Sequence, residues 1–296
     1  MTRMVTPGRM MAASLLVGAL SACGPVRERT VIAPPTTYAE AQVATLQELT
    51  ELINQEYAGL ESLVVSRFEV EMTGGSIDDG YFERYRKARG YLVTHESDSI
   101  FVNILNPLTN SSVLSMASSN GRFQIWIPSR NQFVTGSTGV RKQEENPIYN
   151  VRPSHILEGI LFESLPESRG RFRHFLEEEE DGRFKYYVVA VVEDVRESAA
   201  LHLRRKIWIE RSRMRIVRQH YYEGPELKSV IVYNQEVTSG GRRIPTHVEI
   251  KRPADRYEIR FQFEPDTIET DRQIQSDAFV IAAPPGAELI EVREGG

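Results

Sequence analysis

The sequence predicts a mainly β fold with two helices: a curved antiparallel sheet that forms an incomplete β-barrel closed by a helical lid. Three observations carry that expectation. About a dozen short runs alternate apolar and polar residues with a period of two. Gly, Pro, Asn and Asp punctuate these runs at short intervals. Only two stretches, 38–60 and 153–162, carry a helical period, so there is no βαβ alternation and the sheet is not expected to be parallel. A long antiparallel sheet must curl to bury its apolar face. Two helices are too few to form a domain of their own, so they must lie on or in the mouth of that sheet.

The N-terminus comes first. Arg3 and Arg9 precede an apolar run from Met10 to Leu20 that is too short to span a bilayer as a mature helix. Leu20-Ser21-Ala22-Cys23 then looks like the bacterial lipobox, and Cys23 is the single cysteine of the chain. Charge, apolar run and tetrapeptide agree in register, which favours lipidation over an ordinary secretory signal with an incidental cysteine. Residues 1–22 are then a cleaved signal peptide, and Cys23 carries an N-acyl chain and a diacylglycerol. Buried acyl chains contribute about 0.8 kcal/mol per CH₂, so several anchor a protein stably. Gly24 follows the cysteine where an Asp implies inner-membrane retention, which points to the periplasmic face of the outer membrane. Residues 23–37, with Pro25, Pro34 and Pro35, read as the lipidated terminus and a tether.

The remainder, 38–290, reads as one domain, with 291–296 a tail. Ala39, Val43, Leu46, Leu49, Ile53 and Tyr57 form one helical stripe over 38–60, stopped at Gly59. Strand 64–72 follows, with Val64, Phe68, Val70 and Met72 on one face, and then a Gly/Asp turn over 73–80. Strands are expected at 90–95, 99–105, 112–118, 122–127 and 132–135. A helix begins at Pro153 and places Ile156, Leu157, Ile160 and Leu161 on one side. Strands resume at 171–179, 183–193, 201–210, 214–221, 227–235, 245–251 and 257–264. The run from Phe184 to Val192 is apolar on both faces, so it is expected in the centre of the sheet, covered on both sides. Pro284-Pro285-Gly286 ends the domain.

Composition excludes several chemistries. The net charge of −5 leaves no global basic field for nucleic acid. One cysteine gives no internal disulfide and no thiolate metal site. The six histidines lack ligand spacing, and no metal site is expected. No nucleophile elbow or nucleotide-binding glycine motif is present, so an enzyme is not expected. Gly136 to Gly139 reads as a loop. The acidic run Glu177 to Asp181 reads as a hairpin end, with calcium binding conceivable. Arg204, Arg205, Lys206, Arg211, Arg213, Arg215 and Arg218 could make one hairpin face basic, suited to lipid headgroups or an acidic partner. Solvated strand faces are the plainer reading.

What remains is apolar shape. Phe68, Val70, Ile104, Phe123, Ile125, Trp126, Ile156 and Ile160 are the candidate lining of a cavity between sheet and lid. Two readings stay open: an open groove for acyl chains, or a core filled beneath the helices. Asn103 to Leu108 and Gly121 to Gly136, followed by the 153–166 helix and Leu165-Pro166, resemble the lipoprotein-localisation carrier and receptor superfamily (LolA/LolB-like). The resemblance implies an incomplete barrel with an apolar cavity, membrane lipid and lipoproteins as partners, and Leu108 as a membrane-facing loop residue. Its implied role is trafficking to, or upkeep of, the outer membrane. The alternative is an interaction or envelope-stress sensor module with the same fold and a filled core.

Overall fold

The structure, a computed structural model, describes residues 40–56, 58–76, 81–96, 98–140, 150–195 and 200–293. The signal peptide, Cys23 and the tether lie outside the described residues. The first half of the sheet comprises β1 (Ser62–Ser76), β2 (Tyr81–His95), β3 (Ser99–Leu105), β4 (Ser112–Ser119), β5 (Arg122–Ile127) and β6 (Gln132–Ser137). It is preceded by helix α1 (Leu46–Glu56) and followed by helix α2 (Pro153–Ile160). The second half comprises β7 (Phe172–Asp181), β8 (Phe184–Val195), β9 (Ala200–Glu210), β10 (Arg215–Glu223), β11 (Glu226–Ser239), β12 (Arg242–Arg252) and β13 (Tyr257–Phe263). Two short strands close the chain, β14 (Ile268–Thr270) and β15 (Glu288–Val292).

Each half is a meander, and the two join where β1 pairs antiparallel with β13. The sheet runs β15-β6-β5-β4-β3-β2-β1-β13-β12-β11-β10-β9-β8-β7, with β14 added beside β1. Its two edges, β15 and β7, do not pair, so it is not closed into a barrel. One core nevertheless draws buried or partly buried side chains from both ends of this order, from Phe123 and Val134 to Tyr187 and Leu176. A sheet can do this only by curving around a shared interior. Both helices lie in that interior: α1 contributes Leu49 and Ile53, and α2 contributes Ile156, Leu157 and Ile160.

α1 is shorter than the apolar stripe suggested. Thr45 caps it reciprocally with Glu48: Glu48 N–H donates to Thr45 Oγ1 at 3.3 Å, and Thr45 N–H donates to Glu48 Oε2 at 2.7 Å. Val43 therefore falls outside the helix and is 88% exposed. The other end is held by Arg243, whose Nη2 reaches Glu56 Oε2 at 3.0 Å.

Four further expectations change. In β1 a bulge sits between Val65 and Phe68, opposite Leu92 and Gly90. It shifts the phase by one residue, so Leu63 and Val65 join Phe68 and Val70 in the core while Val64 does not. β2 begins at Tyr81 rather than 90. β8 is next to the edge, not central. Its outer face is covered because Tyr186 and Val188 form a second cluster with Trp208 and Val217, independent of sheet position. Lastly, β15 pairs in parallel with β6 and buries Val292, so the domain continues past 290.

Candidate functional site

The candidate cavity residues divide on the structure. Phe68, Val70, Phe123, Ile125, Ile156 and Ile160 are buried members of the main core, each 5% exposed or less. Ile104 packs against that core while partly buried. Trp126 is a correction. Strand alternation puts Phe123, Ile125 and Ile127 inside and turns Trp126 to the opposite face, outside the core. The rings interlock: Phe68 meets Phe261 edge-on at 5.2 Å. Gly90 makes room for this packing, since a Cβ there would lie 2.5 Å from the Phe68 ring.

α2 packs on this interior, contacting β3 and β4 on one side and β12 on the other. Its seat on β12 is tight: a Cβ at Gly159 would lie 2.3 Å from Ile250 Cδ1. Beyond the helix, Phe162 continues the cover, packed edge-on against Tyr233 at 4.7 Å. Leu165 is also buried, and its N–H donates to Asn54 Oδ1 of α1 at 2.7 Å.

The outward side of α2 has the opposite chemistry. It faces a cavity of about 690 Å³ lined by His155, Glu158, Arg152, Arg204, Arg205, Tyr221, Tyr222, Lys228, Arg252 and Asp255 among others. None of the buried apolar candidates lines this basin. Thr138 and Gly139, expected as a loop, form part of its rim.

A polar latch holds α2 at the basin floor. Arg252 Nε donates to Asp255 Oδ2 at 2.8 Å, its Nη1 to Glu158 Oε2 at 3.2 Å, and its Nη2 to His155 Nε2 at 3.2 Å. Arginine can only donate, so Nε2 must accept and the imidazole proton sits on Nδ1. From there it donates to Tyr257 Oη at 2.6 Å. Burial, reinforced by Arg252 and Arg152, holds the His155 pKa well below its ordinary 6.5, so the ring is neutral. Burial pushes the Glu158 carboxyl up, against the pull of Arg252 and Arg205.

Deeper in the wall, Arg205 is 5% exposed. Its Nε and Nη2 both reach Gln219 Oε1, the former at 2.8 Å, and its Nη1 donates to the Glu163 carbonyl at 2.7 Å. Gln219 in turn donates to Tyr233 Oη at 2.7 Å. The sequence placed Arg204 and Arg205 in a basic hairpin face but not in a buried wall. One signal was available: Arg205 sits in phase with the inward-facing Ile207 and Ile209, so a charge stands where the alternation calls for an apolar residue.

Two members of the basic stretch pair with the acidic run across β8. Lys206 pairs with Glu177 at 3.0 Å and Arg211 with Glu178 at 2.8 Å. Glu179 accepts from Trp208 Nε1 at 2.8 Å. No cluster of metal-ligating side chains occurs among the described residues. Leu108 sits at the tip of the β3–β4 turn, 92% exposed. Asn106 Oδ1 shapes that turn by accepting from the N–H groups of Leu108 and Thr109, at 2.9 and 3.2 Å.

Solved structures share this architecture. A DUF1329 family protein from Desulfovibrio piger matches with a TM-score of 0.50 at 11% identity, over 80% of this chain and 98% of that one. A LolA superfamily protein from Nitrosomonas europaea matches with a TM-score of 0.47 at 14% identity, over 81% and 99%. A domain described as an outer membrane lipoprotein-sorting protein, from Vibrio parahaemolyticus, matches with a TM-score of 0.45 at 10% identity, over 79% and 96%. The fold is the one seen in the DUF1329 family protein. At these identities the likeness is one of fold, and it carries no ligand across. No protein-family model and no curated protein sequence matches the chain. Among the described residues, no helix is long and apolar enough to cross a membrane.

Proposed function

We propose that the protein is a lipid-anchored envelope lipoprotein that binds acyl chains of lipids or lipoproteins in the space that α2 occupies, with α2 as its lid. One observation carries this reading. The concave apolar face is covered by an eight-residue helix whose underside is Ile156, Leu157 and Ile160 and whose outer side is held by the Arg252–Glu158–His155 latch. A helix this short has little stability of its own, so lifting it trades one apolar cover for another. The lipobox at Cys23 supports the anchor. The exposed Leu108 supports contact between the β3–β4 turn and a bilayer. The fold shared with a lipoprotein-sorting protein domain fits a site in the bacterial envelope.

The filled interior favours a second reading, a surface interaction module. Mass spectrometry of lipid co-purified with the protein, together with titration of a fluorescent fatty acid, separates the two. Acyl lipid bound at about one equivalent, and bound more tightly by Glu158→Ala than by the parent, supports the lid. A clean protein that takes up no fatty acid, with the latch intact or cut, leaves only the interaction module.

A further inference from the structure

We propose that the basin is an anion-binding site, with Arg205 at its back and Arg204 and Lys228 on its walls, and that it takes a phosphate group. Two β-bulges build it. In β9, Val191 pairs with Arg205 and Val192 with Leu203, leaving Arg204 as the extra residue. In β11, Tyr221 pairs with Ser229 and Tyr222 with Leu227, leaving Lys228 as the extra residue. A bulge re-aims a side chain that strict alternation would send to the other face. Here Arg204, Arg205 and Lys228 all line one cavity, on either side of Tyr221 and Tyr222.

Arg205 stands outside the ion pairs of this wall. Arg205 is almost fully buried, and its hydrogen bonds go to the Gln219 amide and a backbone carbonyl, both neutral. Among the described residues it has no carboxylate within ion-pair distance. Glu193 is shared between Arg204, at 3.2 Å, and Arg171. Glu223 and Glu226 flank Lys228 at 3.6 and 2.7 Å. Of the other carboxylates at the basin, Glu158 and Asp255 are engaged by Arg252, and Glu163 is exposed. Arg205 also stacks on the Tyr221 ring, 5.0 Å from its centroid, and acts on Glu158 only through space, so its hydrogen bonds meet no negative charge, and a guanidinium fork matches a phosphate. The cavity volume falls in the range of small-molecule sites.

The source of the phosphate is a lipid headgroup or a free phosphate compound, and two probes tell them apart. The full chain, purified in a non-ionic detergent, is titrated calorimetrically with inorganic phosphate and with dihexanoyl phosphatidic acid. Neutral dihexanoyl glycerol is the control. Binding of both probes points to free phosphate compounds, and binding of the lipid alone to a headgroup; either supports the site. Arg205→Gln is expected to weaken binding at least tenfold, and an Arg204→Gln/Lys228→Gln double variant several-fold. Circular dichroism reports whether Arg205→Gln folds. If it does not, the double variant decides, because those two side chains are 43% and 26% exposed and Glu193, the buried partner of Arg204, keeps Arg171. Absence of binding by both phosphate probes overturns the proposal, as does binding equal to that of neutral dihexanoyl glycerol or indifferent to these variants. The site needs no acyl chain, so phosphate binding without fatty-acid uptake refutes the acyl-chain reading alone, and the reverse refutes this one alone.

Discussion

α2 stands between two regions of opposite chemistry. Beneath it, Ile156 and Ile160 join a core of interlocked rings and aliphatics with almost no exposed surface. Above it, His155 and Glu158 face a basin of arginines, carboxylates and tyrosines. Apolar contact is non-directional and scales with area, so the interior supplies stability. Polar groups bind through geometry and suffer when left unpaired, so the basin supplies selectivity. The contrast separates the residues that hold the fold from those that recognise something, and substitutions on each side should behave differently.

The largest expected effect lies in the interior. Phe68 is 0% exposed and packs on both Phe261 and Phe263. Phe68→Ala should cost about 3–5 kcal/mol in denaturant unfolding, the usual range for emptying an aromatic site. A cost below about 1 kcal/mol would mean that the interior is loosely filled, and the contrast between the two regions would dissolve.

Next comes the seat of α2 on β12. A Cβ at Gly159 would press on Ile250 from 2.3 Å, against the flexible end of that side chain. Gly159→Ala should therefore cost about 1–3 kcal/mol, as overpacking does, less whatever helix propensity returns. Ile250→Val in the same chain removes the Cδ1 atom and should recover part of the loss. A double-mutant cycle with no coupling between the two would place the strain elsewhere.

The latch adds a dependence on pH. The His155 pKa is depressed in the folded protein by burial, with Arg252 and Arg152 adding to it. His174 is lowered by burial, and burial with Arg218 and Lys206 lowers His220 to about 4. A group whose folded pKa lies below its unfolded value contributes stability above the unfolded pKa and loses it as pH falls. Stability should accordingly decline as pH drops below about 6.5, the unfolded histidine value. Protonating His155 Nε2 removes the acceptor that Arg252 uses and sets a cation between two arginines. His155→Gln should make the decline shallower. An unchanged slope would assign the acid sensitivity to His174 on β7 and His220 on β10.

Much of the sheet was legible from alternation, because a half-buried strand must alternate. The clean run from Tyr257 to Phe263 reads directly as β13. Bulges were not legible: the one between Val65 and Phe68 reverses the phase without any Gly or Pro to mark it. The neighbour order of β8 also escaped, since apolar residues on both faces report covering and not position. Its outer cover is Trp208, two strands from β7 by way of β8 itself. Of the candidate site, the interior was readable because burial selects residue type. The basin was not, because the Arg204-Arg205 pair, Lys228 and Arg252 are far apart in sequence and converge only through strand pairing. The misplacement of Trp126 has a plain cause: its neighbours Phe123 and Ile125 alternate inward, so an even-numbered apolar residue between Ile125 and Ile127 must point out.

The smallest stability effect should come from the basin wall. Lys228 pairs with Glu226 and Glu223, whose side chains are 52% and 36% exposed, so solvent screens both contacts. Lys228→Ala should therefore shift unfolding by less than about 1 kcal/mol, the ordinary worth of surface ion pairs. The same substitution should weaken phosphate binding several-fold, since a bulge aims that ammonium into the cavity. Stability and binding then respond in reverse order at Phe68 and Lys228. A Lys228→Ala protein as unstable as Gly159→Ala would make the bulge a structural device, and its cation part of the scaffold rather than of a site.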